Sequence, residues 1–117
     1  MIKPKYGPEM FVDAICPVMT KPKVKKMLLE LCDLVDMSPI SRVHIVWGAE
    51  YNPGITANLF IEFSNITIHT FTRGDRECFF LNLFSCKPFD SRKVRSYLRK
   101  NGITHISSRV IKRKFKI

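Results

Sequence analysis

The chain is predicted to fold as an α+β two-layer sandwich: a mainly antiparallel sheet with two helices on one face. Three observations predict it. The elements run in the order strand, helix, several strands, helix, strand. The strand segments are rich in Phe, Ile, Val and Thr, which suit a pleated, half-buried surface. Two stretches repeat apolar residues at the three-to-four-residue spacing of a helix with one buried side.

The first element is FVDAICPV (11–18), a strand that Pro17 ends or confines to an edge. Lys21 to Met37 reads as a helix, with Thr20 as its cap and Pro22 in its first turn. Its buried side would carry Val24, Met27, Leu28, Leu31, Leu34 and Val35. RVHIVWGA (42–49) is the next strand, Asn52-Pro53-Gly54 a turn, and Ile55 to Phe63 a strand running towards Ser64. FIEFSNITIHTFT (60–72) and ECFFLNLFSC (77–86) read as strands joined by Arg73-Gly74-Asp75-Arg76, a hairpin link. Asp90 caps a second helix, Ser91 to Lys100, with Val94, Tyr97 and Leu98 buried and Gly102 closing it. HISSRVIKRKFKI (105–117) is the last strand.

A chain of 117 residues is one domain, 1–117, large enough to bury a core. No apolar run approaches 18 residues, so no membrane-spanning helix is expected. The first ten residues, MIKPKYGPEM, lack the apolar core of a signal peptide. The four cysteines, at 16, 32, 78 and 86, form no Cys-x-x-Cys pair and no metal-binding spacing. They suit a reducing, cytoplasmic compartment, with Cys16, Cys32 and Cys78 expected in the core. Residues 1–90 hold ten Lys/Arg and ten Asp/Glu, whereas residues 91–117 hold ten Lys/Arg and no acid. The whole net charge of +10 therefore lies in the last 27 residues. Alternation there puts basic side chains on both faces, so the strand end is expected to project beyond the core. That patch makes non-specific nucleic-acid binding a rival function, although no RNA-recognition signature or phosphate loop accompanies it.

The chemistry-bearing residues are Ser64, His69 and Cys86, set in FSNITIHTF (63–71) and LFSC (83–86). A hydroxyl, an imidazole and a thiol on neighbouring strands make a candidate site. If Gly74 and Asp75 form a two-residue loop, paired residue numbers sum to 149 and Ser64 faces Ser85. A three-residue loop raises the sum to 150 and sets Cys86 opposite Ser64. Ser64 and His69 are five positions apart, so an unbroken strand points them to opposite faces. Their cooperation requires a bend or bulge near Ser64.

In these segments the chain resembles the S-adenosylmethionine decarboxylase family in its small prokaryotic form. That family has a Ser-His-Ile-x-Ile-His-Thr stretch, matched here by Ser64-Asn65-Ile66-Thr67-Ile68-His69-Thr70. Its Phe-Thr-Cys stretch is matched by Phe84-Ser85-Cys86, and its Gly-Val-Ser/Thr segment by Gly54-Ile55-Thr56. The resemblance implies that Ser64 is the precursor of a pyruvoyl group formed by self-cleavage between Phe63 and Ser64. It further implies proton transfer by His69 during processing, assistance by the Thr56 hydroxyl, and reprotonation of the substrate carbon by Cys86. The pyruvoyl carbonyl would take the substrate amine and act as an electron sink, with no metal.

Two positions depart from the family. Phe63 stands where a glutamate usually precedes the serine, and Arg73 replaces the glutamate that holds the substrate ribose. Arginine donates hydrogen bonds and cannot accept them. The substrate implied is therefore S-adenosylmethionine or another amino acid, with Arg73 at its binding site. The same layers and a homodimer are implied, the second copy covering the open sheet face. An unprocessed homologue acting as a binding or regulatory subunit is the alternative, beside the basic nucleic-acid module.

Overall fold

The structure is a computed structural model that describes residues 6–73 and 76–113, the side chain of Arg73 excepted. The expected loop residues Gly74 and Asp75, and Lys114 of the basic end, lie outside the described residues. In chain order the elements are β1 (Pro8–Cys16), α1 (Lys21–Leu34), β2 (His44–Trp47), β3 (Ile55–Ile61), β4 (Ser64–Arg73), β5 (Arg76–Phe84), α2 (Ser91–Lys100) and β6 (Thr104–Lys112). The strands form one sheet in the order β2-β3-β4-β5-β1-β6, every neighbouring pair antiparallel. Helix α1 packs on β3 and β4, and α2 on β6 and α1. The α+β sandwich expected from element order is the fold observed.

Alternation divides the sheet. Met10 and Val12 of β1, Leu59 of β3, Ile66 and Ile68 of β4, and Phe79 and Leu83 of β5 face the helices and are buried. They meet Val24, Met27, Leu28 and Leu31 of α1 and Val94 and Leu98 of α2 in one core. Burying each such side chain is worth roughly 1.5–3 kcal/mol, so this shared face organises the domain. The opposite, open face carries Thr56, Asn58, Thr67, His69, Phe71, Cys78, Phe80, Asn82, Phe84 and Phe11.

The helix ends explain where the expected boundaries moved. Thr20 caps α1 by accepting from the Lys23 amide at 3.3 Å. The helix stops at Leu34 rather than Met37, because Asp36 takes a left-handed φ of 58°. The Asp36 amide then bonds to Asp33 O at 3.0 Å and the Met37 amide to Cys32 O at 3.1 Å, a Schellman closure. Gly102, at φ 84°, closes α2 in the same way, with bonds to Arg99 O and from Ile103 to Leu98 O. Asp90 caps α2 as expected, accepting from the Arg92 amide at 2.9 Å.

The segment 60–72 is not one strand. β3 ends at Ile61, the chain turns over Glu62 and Phe63, and β4 begins at Ser64. Neither turn residue is Gly, Asn, Asp or Pro, so composition does not mark the turn. The hairpin β4–β5 pairs Arg73 with Arg76 and Asn65 with Phe84, so paired numbers sum to 149. Within the described residues the basic strand does not hang free either: β6 pairs with β1 as far as Pro8–Lys112. Arg109 lies over the Phe11 ring at 5.7 Å and Arg113 over the Phe84 ring at 4.9 Å, with Arg113 also ion-paired to buried Glu9. Their aliphatic stems and aromatic partners hold these cations along the sheet.

The hydrogen bonds and charge of Arg92 lower the pKa of the Asp90 carboxyl. A depressed carboxylate stabilises the fold above its unfolded pKa, and that contribution is lost as pH falls through the folded value. Asp90→Ala is expected to lower the thermal midpoint at neutral pH, with the gap to the parent closing below about pH 4. Melts followed by circular dichroism at several pH values check this.

Candidate active site

Strand alternation assigns each expected site residue to a face. Thr56 lies between buried Ile55 and Ala57, so its hydroxyl points to the open face. Cross-strand register sets it opposite His69, whose neighbours Ile68 and Thr70 are buried. The Thr56 Oγ1 and His69 Nδ1 are 3.1 Å apart, a hydroxyl–imidazole hydrogen bond. The imidazole stacks on Phe71 at 6.3 Å between centroids, and Phe71 meets Phe80 edge-on at 5.6 Å.

Next to this pair a cleft of ≈ 410 Å³ opens between Tyr51–Pro53 and the side chains of Phe71, Cys78 and Phe80. Gly54 makes the close approach possible. A Cβ there would sit 1.8 Å from Thr70 O, and its φ is 155°. Without that side chain, the Ile55 amide reaches Thr70 Oγ1 at 3.0 Å and the Thr72 amide reaches Pro53 O at 2.9 Å. The loop is thereby clamped over β4 as a cleft wall.

Cys78 is the residue the sequence reading misplaced. Cys16 and Cys32 are core thiols, and burial raises both, Cys16 to about 12, so neither is a nucleophile near neutral pH. Cys78 is half-buried on the open face, paired with Phe71 and lining the cleft. The hairpin register carries that signal, since 71 and 78 sum to 149 and must share a face. Tyr51 and Phe80 also had no local motif to mark them.

Ser64 is elsewhere. It closes the two-residue turn opposite Ile61, and alternation sets it on the helix side with buried Ile61 and Ile66. Its Oγ donates to Glu62 O at 3.0 Å. Phe63, just before it, is 84% exposed and left-handed at φ 57°, a strained conformation for a bulky residue. Pairing in β4 is unbroken from Ser64 to Arg73, so the bend required between Ser64 and His69 is absent. Five residues of strand separate them by about 17 Å, on opposite faces.

Cys86 follows the end of β5, at the same end of the sheet as Ser64, because Asn65 pairs with Phe84. Its Sγ is 3.9 Å from Met37 Sδ. The structure thus brings Thr56 to His69 and sets Ser64 and Cys86 at one sheet end, but it does not join the two groups. Arg73 lies at the hairpin end of β4, and its side chain is outside the described residues.

Comparison with known proteins follows the same segments. The family model for S-adenosylmethionine decarboxylase matches residues 17–114. The chain belongs to the S-adenosylmethionine decarboxylase family. The crystal structure of the adenosylmethionine decarboxylase from Aquifex aeolicus VF5 superimposes with a TM-score of 0.73, over 98% of this chain and 96% of that one, at 15% identity. At that identity the likeness establishes a shared fold. Direct sequence comparison with curated proteins finds no match. Among the described residues, no group of three or more His, Cys, Asp or Glu could hold a metal ion. Among the described residues, no helix is long and apolar enough to cross a membrane.

Gly54→Ala is expected to destabilise the protein by more than about 1 kcal/mol, because the added carbon meets backbone on β4. Urea titration measures the loss. Widening of the cleft in the same variant should increase alkylation of Cys78, read by peptide mass.

Proposed function

We propose that the chain is a pyruvoyl-dependent decarboxylase that matures by cleavage between Phe63 and Ser64. The observation that carries the reading is the backbone of that linkage. A serine heads β4 directly after an exposed, left-handed phenylalanine at the tip of a two-residue turn. Strain of about 1–3 kcal/mol at such a residue is relieved when the peptide is converted to an ester and the chain is cut. Ser64 Oγ adds to the Phe63 carbonyl carbon and the C–N bond breaks to leave an ester; β-elimination then releases the Phe63 carboxylate and leaves a dehydroalanine, whose imine tautomer takes up water and loses ammonia to give the pyruvoyl carbonyl.

The residues present fit a pyruvoyl group in part. The precursor hydroxyl, the strained linkage and the Cys86 thiol share one end of the sheet. The Thr56–His69 pair lies on the other face, about 17 Å along the strand. When formed, the pyruvoyl carbonyl supplies the electron sink for loss of carbon dioxide. The chain's own groups do the rest. Cys86, half-buried against Met37, is the proton donor to the substrate carbon. Phe71, Phe80 and Tyr51 wall a cleft that suits a flat, weakly polar ring, and His69, oriented by Thr56, sits at its side. Membership of the family favours S-adenosylmethionine as substrate, with another amino acid the alternative that Arg73 raises.

A homodimer covering the open face accompanies this reading. That face presents Phe11, Phe60, Phe71, Phe80 and Phe84 among Asn and Thr side chains, a composition suited to a partner surface. A cytoplasmic setting is supported by four cysteines that are all free.

Denaturing mass spectrometry of freshly purified protein is expected to give fragments 1–63 and 64–117, the second beginning with a pyruvoyl group. Ser64→Ala should remain intact. Phe63→Gly should gain about 1 kcal/mol of stability and cleave more slowly, because glycine is unstrained at this φ. An intact parent chain indistinguishable from Ser64→Ala would overturn the enzyme reading.

His69→Ala separates the two faces chemically. If the ring transfers the processing proton, cleavage slows by about 10²-fold or more. Unchanged cleavage with lost carbon dioxide release from S-adenosylmethionine would assign the ring to the cleft instead.

A further inference from the structure

Four residues, Asp36 to Pro39, connect the two segments that hold Ser64 and Cys86. The Schellman closure of α1 reverses the chain at Asp36 and points Met37 at the end of β5. Met37 Sδ lies 3.9 Å from Cys86 Sγ, while Met37 O accepts from Cys32 Sγ at 3.2 Å, so the methionine is gripped from both sides. Lys87, the residue after Cys86, donates from Nζ to Asp36 O at 2.9 Å, with the Asp36 carboxylate 3.7 Å away. The other side of the same turn holds the linkage before Ser64. Ser38 O accepts from the Glu62 amide at 3.3 Å, Pro39 bridges to Ile61, and the Ile40 amide reaches Phe60 O at 2.9 Å.

The need for such a tether follows from the fold. Backbone pairing fixes the chain through Ser85, whose amide bonds to Pro8 O and whose carbonyl accepts from the Gly7 amide. Cys86 lies beyond the ladder, in the connection to α2. The Lys87 amide bonds to Ser85 Oγ at 3.0 Å, and the thiol itself packs on the core and on Met37 of the turn that also holds Glu62.

We infer that Lys87 and Met37 are positioning residues, which fix the Cys86 thiol at the sheet end beside the Ser64 turn. The inference rests on the proposed role of Cys86 as proton donor. Lys87 acts through the carbonyl of Asp36, and Met37 fills the space against the sulfur. Lys87 acts at one remove from the thiol, whereas Met37 packs directly on its sulfur.

Alkylation of Cys86 by iodoacetamide, followed by peptide mass over a range of pH, tests this in the full-length protein. Measured in a Ser64→Ala background, it does not depend on cleavage or turnover. Lys87→Ala releases the tether and is expected to raise the limiting rate at high pH by about fivefold, the scale set by one hydrogen bond and a partly exposed ion pair. Lys87→Arg, which can still donate to Asp36 O, should restore the parent rate, and Met37→Ala should raise it while Met37→Leu does not. A Lys87→Ala profile that moves only along the pH axis would mean the ammonium acts as a nearby charge, and would overturn the inference. So would a profile identical to the parent. A rise in limiting rate in a chain that never self-cleaves would support the tether while removing the enzyme reading. Cleavage and decarboxylation in a protein whose Lys87→Ala alkylation is unchanged would do the reverse.

Discussion

The two-residue period of β4 is the constraint on which the site depends. Ile66 and Ile68 must face the helices to complete the core, and this fixes the direction of every other side chain on the strand. His69, Thr67 and Phe71 are carried to the open face as a consequence. Ser64, at even spacing from Ile66, is carried to the helix side. A one-residue slip would expose the isoleucines, so neither hydroxyl nor imidazole can change face without losing the core. Both ends of the strand are pinned, by the Glu62–Phe63 turn and by the Arg73–Arg76 pair.

That constraint produces two chemical neighbourhoods instead of one. On the open face, a glycine that tolerates backbone contact brings the Tyr51–Pro53 loop over β4, and aromatic rings line the cleft beside one hydrogen-bonded imidazole. At the far end of the sheet, a strained turn, a serine and a thiol gather around the C-terminal turn of α1. The first neighbourhood is built on paired strands, with a loop clamped over them as one wall. The second lies at element ends, where side-chain contacts hold the geometry and backbone strain can be stored.

The charge asymmetry acquires a structural reading as well. The basic residues of the last 27 positions do not extend away from the fold as a free arm within the described region. Arg109 and Arg113 lie along aromatic rings of the open face, and Arg92 is bound to the α2 cap. Basic residues in the last turn of α2, Arg99 and Lys100, face the negative end of the helix dipole. On an edge strand such as β6, arginine and lysine also discourage pairing with other chains.

Local chemistry let the sequence determine the fold class, the second helix with its Asp90 cap and Gly102 closure, the Thr56-to-Cys86 motif and the family resemblance. Each is assembled from short stretches in which propensity, capping and alternation act directly. The register of the β4–β5 hairpin was one of two readings open in the sequence, and Arg73 pairing with Arg76 selected it. Tertiary structure alone decided the rest. It ended α1 at Leu34, where a left-handed Asp36 closes the helix and turns Met37 towards Cys86. It split 60–72 with a turn of ordinary residues, because pairing Ile61 with Ser64 closes the sheet at the cost of strain at Phe63. It put Cys78 on the open face, since which side of a strand is buried depends on where the helices pack, and it kept β4 unbroken, so that the odd spacing of Ser64 and His69 sets them on opposite faces.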